Sequence, residues 1–311
     1  MFKNILVPLD GSQLSEASLA PAKFLAQKLK APVTLLHIIE QEAPEQVHKE
    51  RHLTRPDEAE AYLKQVAERV FRPMEGAKSS QASAKDRGTK VKTHVHTAPV
   101  SNVARSIVEH AVNEFKPDLI VTCTHGRSGV RDLLYGSIAQ QVVAQGTTPL
   151  LLIKPDSPRF KLERVLVPLD PDSIHDDCLP LTESLAEAFK AELLLISVIP
   201  TFTTLSGEQA AAGALLPATA QAFLDMKEEN AQQHLQEHIS LLRKKGLRAA
   251  AEVVRGDPAP AIVKAAEKLG VDMIILSTHR KAGMKAFWAR SVAPKVAQKT
   301  KIPLLLIPLV S

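Results

Sequence analysis

The stretch FKNILVPLDGS at Phe2–Ser12 is written again as LERVLVPLDPD at Leu162–Asp172, and this recurrence decides how the chain is to be read. Each copy opens with a short aliphatic strand that ends in Pro-Leu-Asp. A longer correspondence lies downstream: DLIVTCTHGRSGVRDLLYGSIAQQVVAQGTTPLLLIKP, from Asp118 to Pro155, returns as DMIILSTHRKAGMKAFWARSVAPKVAQKTKIPLLLIPL, from Asp272 to Leu309. Beginning and end recur in the same order, which marks a tandem duplication of one unit rather than a short-period solenoid. The expected domains are 1–155 and 161–311, joined through the Pro- and charge-bearing segment DSPRFK.

Between these anchors, runs of Val, Ile and Leu alternate with longer stretches of helical period, the pattern of βαβ units on a parallel sheet covered on both faces. In the first copy, strands are expected at Asn4–Pro8, Val33–Ile39, Val91–Thr97, Leu119–Cys123 and Leu150–Ile153. Helices are expected at Ser15–Leu29, Glu58–Met74, Val103–Phe115 and Ser137–Ala144, with Asn102 capping the third. The second copy repeats the strands near Val165–Pro168, Leu193–Ile199, Ala250–Val254, Met273–Ser277 and Leu304–Ile307. Right-handed crossovers then make each copy an α/β domain with a doubly wound parallel sheet. Gly76–Lys90 is small and polar and reads as a surface connection. Segments 40–58 and 201–217 leave the carboxyl ends of the second strands, where such sheets bind ligands, and are expected to be loops acting as lids.

Bulk properties narrow the function. With 45% hydrophobic residues in a chain of 311, each half can bury a core. The longest apolar runs, such as Ile302–Val310, fall short of the roughly eighteen residues a membrane span needs, so no membrane insertion is expected. The start reaches Asp10 before a long apolar stretch forms, unlike a secretory signal, and a cytoplasmic protein is expected. The net charge of +5 is spread without a solid basic block and aromatic residues make up 4%, so no nucleic-acid partner is expected. Cys123 and Cys178 fit neither a disulfide framework nor a zinc knuckle.

Chemistry concentrates in THGRSGVRDLLYGSI, from Thr124 to Ile138. Gly126, Gly129 and Gly136 offer backbone that approaches a phosphate with no Cβ in the way. Ser137 adds a hydroxyl and an amide at a helix N-terminus, where the macrodipole favours an anion. The spacing is neither a Walker loop nor GxGxxG, and an ordinary glycine-rich turn is the plain alternative. Asp10, ending the first strand, can accept from an adenine amino group or a ribose hydroxyl, or simply from its own turn. The first and fourth strands are neighbours in a doubly wound sheet, so both segments face one crevice. His94 and His96 share a strand face in a spacing open to a metal, but the sequence shows no third ligand; a packing or surface role, and no metal site, is expected. Cys123 reads as a small buried hydrophobe.

VPLDGS followed by an amphipathic helix, VTLLHII, THGRSG and a closing GS-helix-PLLLI resemble the universal stress protein family over nearly the whole chain, as two fused copies. The resemblance implies five-stranded parallel sheets of order 3-2-1-4-5, related to adenine-nucleotide α-hydrolases. It also implies the pattern G-x-x-G-x9-G-[ST] of ATP-binding members. Here Gly126 is its second glycine, Arg127 opens the intervening stretch, and Gly136-Ser137 closes it, while Cys123 replaces the first glycine. By the same resemblance Asp10 falls on the adenine- or ribose-binding acid, Ile38 on the backbone that reads the adenine edge, and Gly129, Ser137 and Ile138 on phosphate-donating amides. In the second copy Arg280 and Arg290 stand where Gly126 and Gly136 stand in the first, a degenerate phosphate loop.

The reading that follows is a stress-response regulatory protein binding ATP, AMP or ADP in its first domain, Mg2+ entering with the phosphates, with little or no turnover. An unidentified protein partner is implied. The closing strands Leu150–Ile153 and Leu304–Ile307 carry almost no charge, and the family pairs such strands between subunits, so an internal pseudo-dimer of the halves is expected, with further homo-oligomerisation left open. The alternatives are a nucleotide-independent interaction module and a slow ATPase.

Overall fold

Ile5, Leu6 and Val7 of strand β1 (Ile5–Pro8) are fully buried, because this strand is hydrogen-bonded along both edges and covered on both faces. The structure is a computed structural model that describes residues 1–43, 46–47, 50–72, 89–124, 137–155, 157, 159–171, 176–205, 207–278 and 291–309. The chain divides into two compact units, Met1–Lys161 and Leu162–Ser311.

In the first unit β1 leads to α1 (Leu19–Leu29), β2 (Val33–Glu40), a small antiparallel pair β3 (Gln46–Val47) and β4 (Glu50–Arg51), and α2 (Pro56–Phe71). Then come β5 (Val91–Val100), α3 (Val103–His110) continued by a π-helical turn at Ala111–Phe115, β6 (Leu119–Cys123), α4 (Ser137–Gln145) and β7 (Leu150–Ile153). The five long strands are parallel in the order β5-β2-β1-β6-β7, which is 3-2-1-4-5 as expected. The second unit carries β8 (Arg164–Pro168), α5 (Leu179–Phe189), β9 (Glu192–Ile199), α6 (Glu208–Leu215), α7 (Pro217–Lys244), β10 (Ala249–Arg255), α8 (Pro258–Leu269), β11 (Met273–Thr278), α9 (Val292–Lys299) and β12 (Leu304–Pro308). Its strands run parallel as β10-β9-β8-β11-β12, the same order.

The amino end of the central strand is clamped by an aspartate at the same place in both units. The Asp118 carboxylate accepts from the amides of Lys3 (2.7 Å) and Asn4 (3.0 Å), and its own amide donates to Asn4 O (3.1 Å). Asp272 does the same with the amides of Glu163 (2.8 Å) and Arg164 (2.9 Å) and with Arg164 O (2.9 Å). Asn102 caps α3 as expected, its Oδ1 accepting from the Arg105 amide at 2.9 Å.

Two expectations change. Segment 201–217 is not a loop: a short helical turn at Phe202–Thr204 leads to α6, and Pro217 opens α7. The reason is its composition, since Glu-Gln-Ala-Ala-Ala is strongly helix-forming and Pro suits a first helical position. Segment 40–58 contains the β3–β4 pair, and α2 begins at Pro56 and ends at Phe71 instead of spanning Glu58–Met74. Most of the Gly76–Lys90 connection lies outside the described residues.

His37, in the middle of buried β2, fastens two loops together. Its Nδ1 lies 2.8 Å from Leu9 O at the exit of β1, and its Nε2 3.1 Å from Leu53 O on the approach to α2. Carbonyl oxygens only accept, so each bond needs a ring N–H: one neutral tautomer serves Leu9, the other Leu53, and only the doubly protonated ring holds both at once. His37→Leu keeps an apolar filling but removes the clamp, and the first unit is expected to lose about 1–3 kcal/mol in chemical denaturation followed by circular dichroism. A loss below about 0.5 kcal/mol would show that the clamp is dispensable.

Candidate functional site

In the first unit β1 lies between β2 and β6, so chain order reverses at β1 and the loops leaving these strands diverge around a crevice at their carboxyl ends. A pocket open to solvent occupies that place. Its floor comes from the ends of β1, β2 and β6 and its flank from Val103 and Ile107 of α3. Asp10, Ile38 and Ile138, three of the residues singled out from sequence, all line it, arriving from β1, β2 and α4. Cys123 lines it as well and is buried as expected, its side chain standing where the family pattern has bare glycine.

Asp10 is held by its own turn. Its Oδ1 accepts from the Ser12 amide (2.9 Å) and the Ser12 hydroxyl (2.6 Å), and Ser12 passes the arrangement on to Ser15 and α1 through hydrogen bonds of 3.2 and 2.8 Å. The turn role and a ligand role therefore coexist, since the second carboxylate oxygen is not used by these bonds. Gly11 makes the turn feasible: its φ is +88°, and a Cβ would lie 2.7 Å from Leu53 Cδ1. Ile38 sits where the β2–β5 ladder is interrupted by a register shift between Ile38 and Glu40, so regular pairing breaks beside the pocket.

One pocket residue went unremarked in the sequence. His52, on the approach to α2, is 5% exposed, lines the pocket, and its Nδ1 is buried with no hydrogen-bond partner. Burial, and next the neighbouring His37, hold its imidazole below the usual value, with Asp10 pulling the other way. An orphaned buried ring nitrogen costs free energy unless a ligand bonds to it. Its only sequence signal is a histidine in a segment leaving a strand's carboxyl end.

Gly126, Arg127, Gly129 and Gly136 lie outside the described residues, as do Arg280 and Arg290. Of Ser137 the structure describes the backbone, which begins α4. The sequence pairs His94 with His96, whereas the structure groups His94 with His110 and Glu114. Glu114 Oε1 lies 3.7 Å from His94 Nδ1 and Glu114 Oε2 3.7 Å from His110 Nε2, while His110 Nδ1 bonds to Ser106 O at 2.7 Å. The two added groups come from α3 and the π-helical turn after it, which sequence spacing on β5 does not reveal.

Sequence comparison finds the Universal stress protein family twice, over residues 1–154 and 161–308. A universal stress protein of Methanocaldococcus jannaschii is 28% identical over 156 residues, spanning 50% of this chain and 83% of the relative. One of Thermus aquaticus is 31% identical over 154 residues, spanning 50% of this chain and all of the relative (100%). The solved structure of a universal stress protein from Archaeoglobus fulgidus is similar along 98% of this chain and 96% of its own, with a TM-score of 0.67 at 16% identity, a likeness of fold. A strand order of 3-2-1-4-5 present twice and a family match over both halves place this chain in the universal stress protein family, with two of its domains in tandem.

Proposed function

We propose that the first unit binds an adenine nucleotide, ATP or its AMP and ADP relatives, in the pocket at the carboxyl ends of β1, β2 and β6, and that the chain acts as a regulatory protein through this binding. The observation that carries the proposal is the convergence of Asp10, Ile38 and Ile138 from three separate elements onto one cavity that His52 also lines. An adenine ring suits the apolar walls formed by Val103 and Ile107, and the free carboxylate oxygen of Asp10 is placed to accept from an amino or hydroxyl group. Neutral His52 offers one more polar contact to the same ligand. The phosphates are assigned to the glycine-bearing segment of sequence from Gly126 to Ser137 and to the start of α4, where amides and the helix dipole favour anions, and Mg2+ would accompany them. No group transfer is assigned to these residues.

In the second unit Arg280 and Arg290 replace the two loop glycines, so one nucleotide per chain is expected by titration calorimetry. Two equivalent sites would overturn the assignment of the loop. A nucleotide at about 100 times its Kd should raise stability by about 2.7 kcal/mol in thermal unfolding, and no shift at millimolar ATP would favour a nucleotide-independent interaction module. Asp10→Asn keeps an acceptor for Ser12 but removes the charge, and is expected to weaken binding about 10- to 150-fold, the range for one charged hydrogen bond.

His52 supplies a pH test. Its folded-state value lies below the unfolded 6.5, so the neutral ring's contribution to stability is present above that pH and is lost as acid forces a proton onto it. The ligand-free parent should therefore lose stability from roughly pH 7 to pH 5 more steeply than His52→Gln in urea denaturation, and parallel profiles would remove His52 from this role.

A further inference from the structure

The duplication lets one position be compared with itself. Glu16 in the first unit and Asp176 in the second both stand in the short helical turn between the central strand's exit and the following helix. Each meets the helix that links the second and third strands of its sheet. In the first unit Glu16 accepts from the Tyr62 hydroxyl at 3.2 Å and pairs with the Arg69 guanidinium, both on α2. Burial, and then Glu16 itself, push the Tyr62 phenol up, so it stays a donor. That arrangement is closed: a permanent cation and a hydroxyl take one oxygen each.

In the second unit the partners are two imidazoles. Asp176 Oδ1 lies 3.2 Å from His234 Nε2 and Oδ2 lies 3.0 Å from His238 Nε2. The histidines are one helical turn apart on α7, their rings 4.6 Å apart and nearly perpendicular. The ligand atoms of all three side chains lie within 4.8 Å of one another. The side chains are 15%, 19% and 23% exposed for His234, His238 and Asp176, shielded but reachable from solvent. The rotation of α7 is set by its buried stripe of Ala231, Leu235, Ile239 and Leu242, so the histidine pair rides on a rigid element.

We propose that Asp176, His234 and His238 form a binding site for a divalent transition-metal ion of the Zn2+ class. Two imidazole nitrogens and one carboxylate oxygen are the borderline donors that such an ion prefers, and three protein ligands leave a fourth position for water. Two histidines one turn apart on a helix converge on a single ion, and a carboxylate from a second element closes the third corner. The ion would tie α7 to the turn entering α5, the place where the first unit uses Arg69. This site is separate from the pocket of the first unit and does not rest on the nucleotide reading.

The test uses the tag-free full-length chain, stripped with chelator and titrated with CoCl2, then with ZnCl2 as competitor. A saturable ligand-field spectrum that Zn2+ abolishes is expected, together with a Zn2+-dependent rise in melting temperature. His238→Gln and Asp176→Asn, checked for folding by circular dichroism, should each weaken Co2+ binding by at least about a hundredfold and lose the melting shift. His110→Gln is the control that separates this site from the His94–His110–Glu114 cluster, and should leave the signal unchanged. The proposal is overturned if the parent fails to saturate with Co2+ below about 1 mM, if His238→Gln and Asp176→Asn bind like the parent, or if only His110→Gln loses the spectrum.

Discussion

Everything in each unit hangs on a central strand whose backbone is bonded to a parallel neighbour on both sides. β1 uses its edges on β2 and β6, and β8 on β9 and β11. Parallel pairing sends all three strands out at one edge of the sheet, so the segments that follow them meet there whatever their composition. The pocket of the first unit and the Asp176–His234–His238 cluster of the second both lie where such segments meet a flanking helix.

The two ends of that strand have had different histories. At the amino end the copies agree in chemistry: Asp118 and Asp272 clamp the entering amides, and Lys30 and Lys190 both close the following helix with φ of +55°. A left-handed lysine is strained by roughly 1 kcal/mol, and the same strain in both units shows how tightly the turn into the second strand is specified. At the carboxyl end the copies diverge. Glu16 and Asp176 keep an acid at one place while its partners change from Tyr62 and Arg69 to His234 and His238. Packing constrains the first end and leaves the second free to acquire different ligands.

Inside the first unit, site and fold share residues. His37 joins the exit of β1 to the approach to α2, Leu53 packs where only Gly11 leaves room, and the same approach carries His52 into the pocket. The shape of the cavity thus depends on a buried imidazole and a positive-φ glycine that need not touch a ligand. Asp10 is tuned in the same manner, its first oxygen spent on Ser12 and its second left over.

The duplication, the strand sequence and the family were legible in one dimension, because aliphatic runs of strand length between helical stretches have few other ways to bury themselves, and because Pro-Leu-Asp and Thr-His recur in register. That Asp10, Ile38 and Ile138 line one pocket follows from the parallel topology, which sends the ends of β1 and β2 and the start of α4 to one edge; from sequence, Ile38 and Ile138 were named through the family resemblance. The helix at Glu208–Leu215 was misread as a loop because position after a strand was weighed above its alanine-rich composition. What tertiary structure alone decided is which distant side chains meet. His52 reaches the pocket of Asp10, Glu114 joins His94, and Asp176 meets His234 and His238 across 58 and 62 residues of chain. Periodicity records which face of an element is buried, whereas the partner across that face is set by how a helix docks on the sheet, and that docking is written in packing distributed over the whole unit.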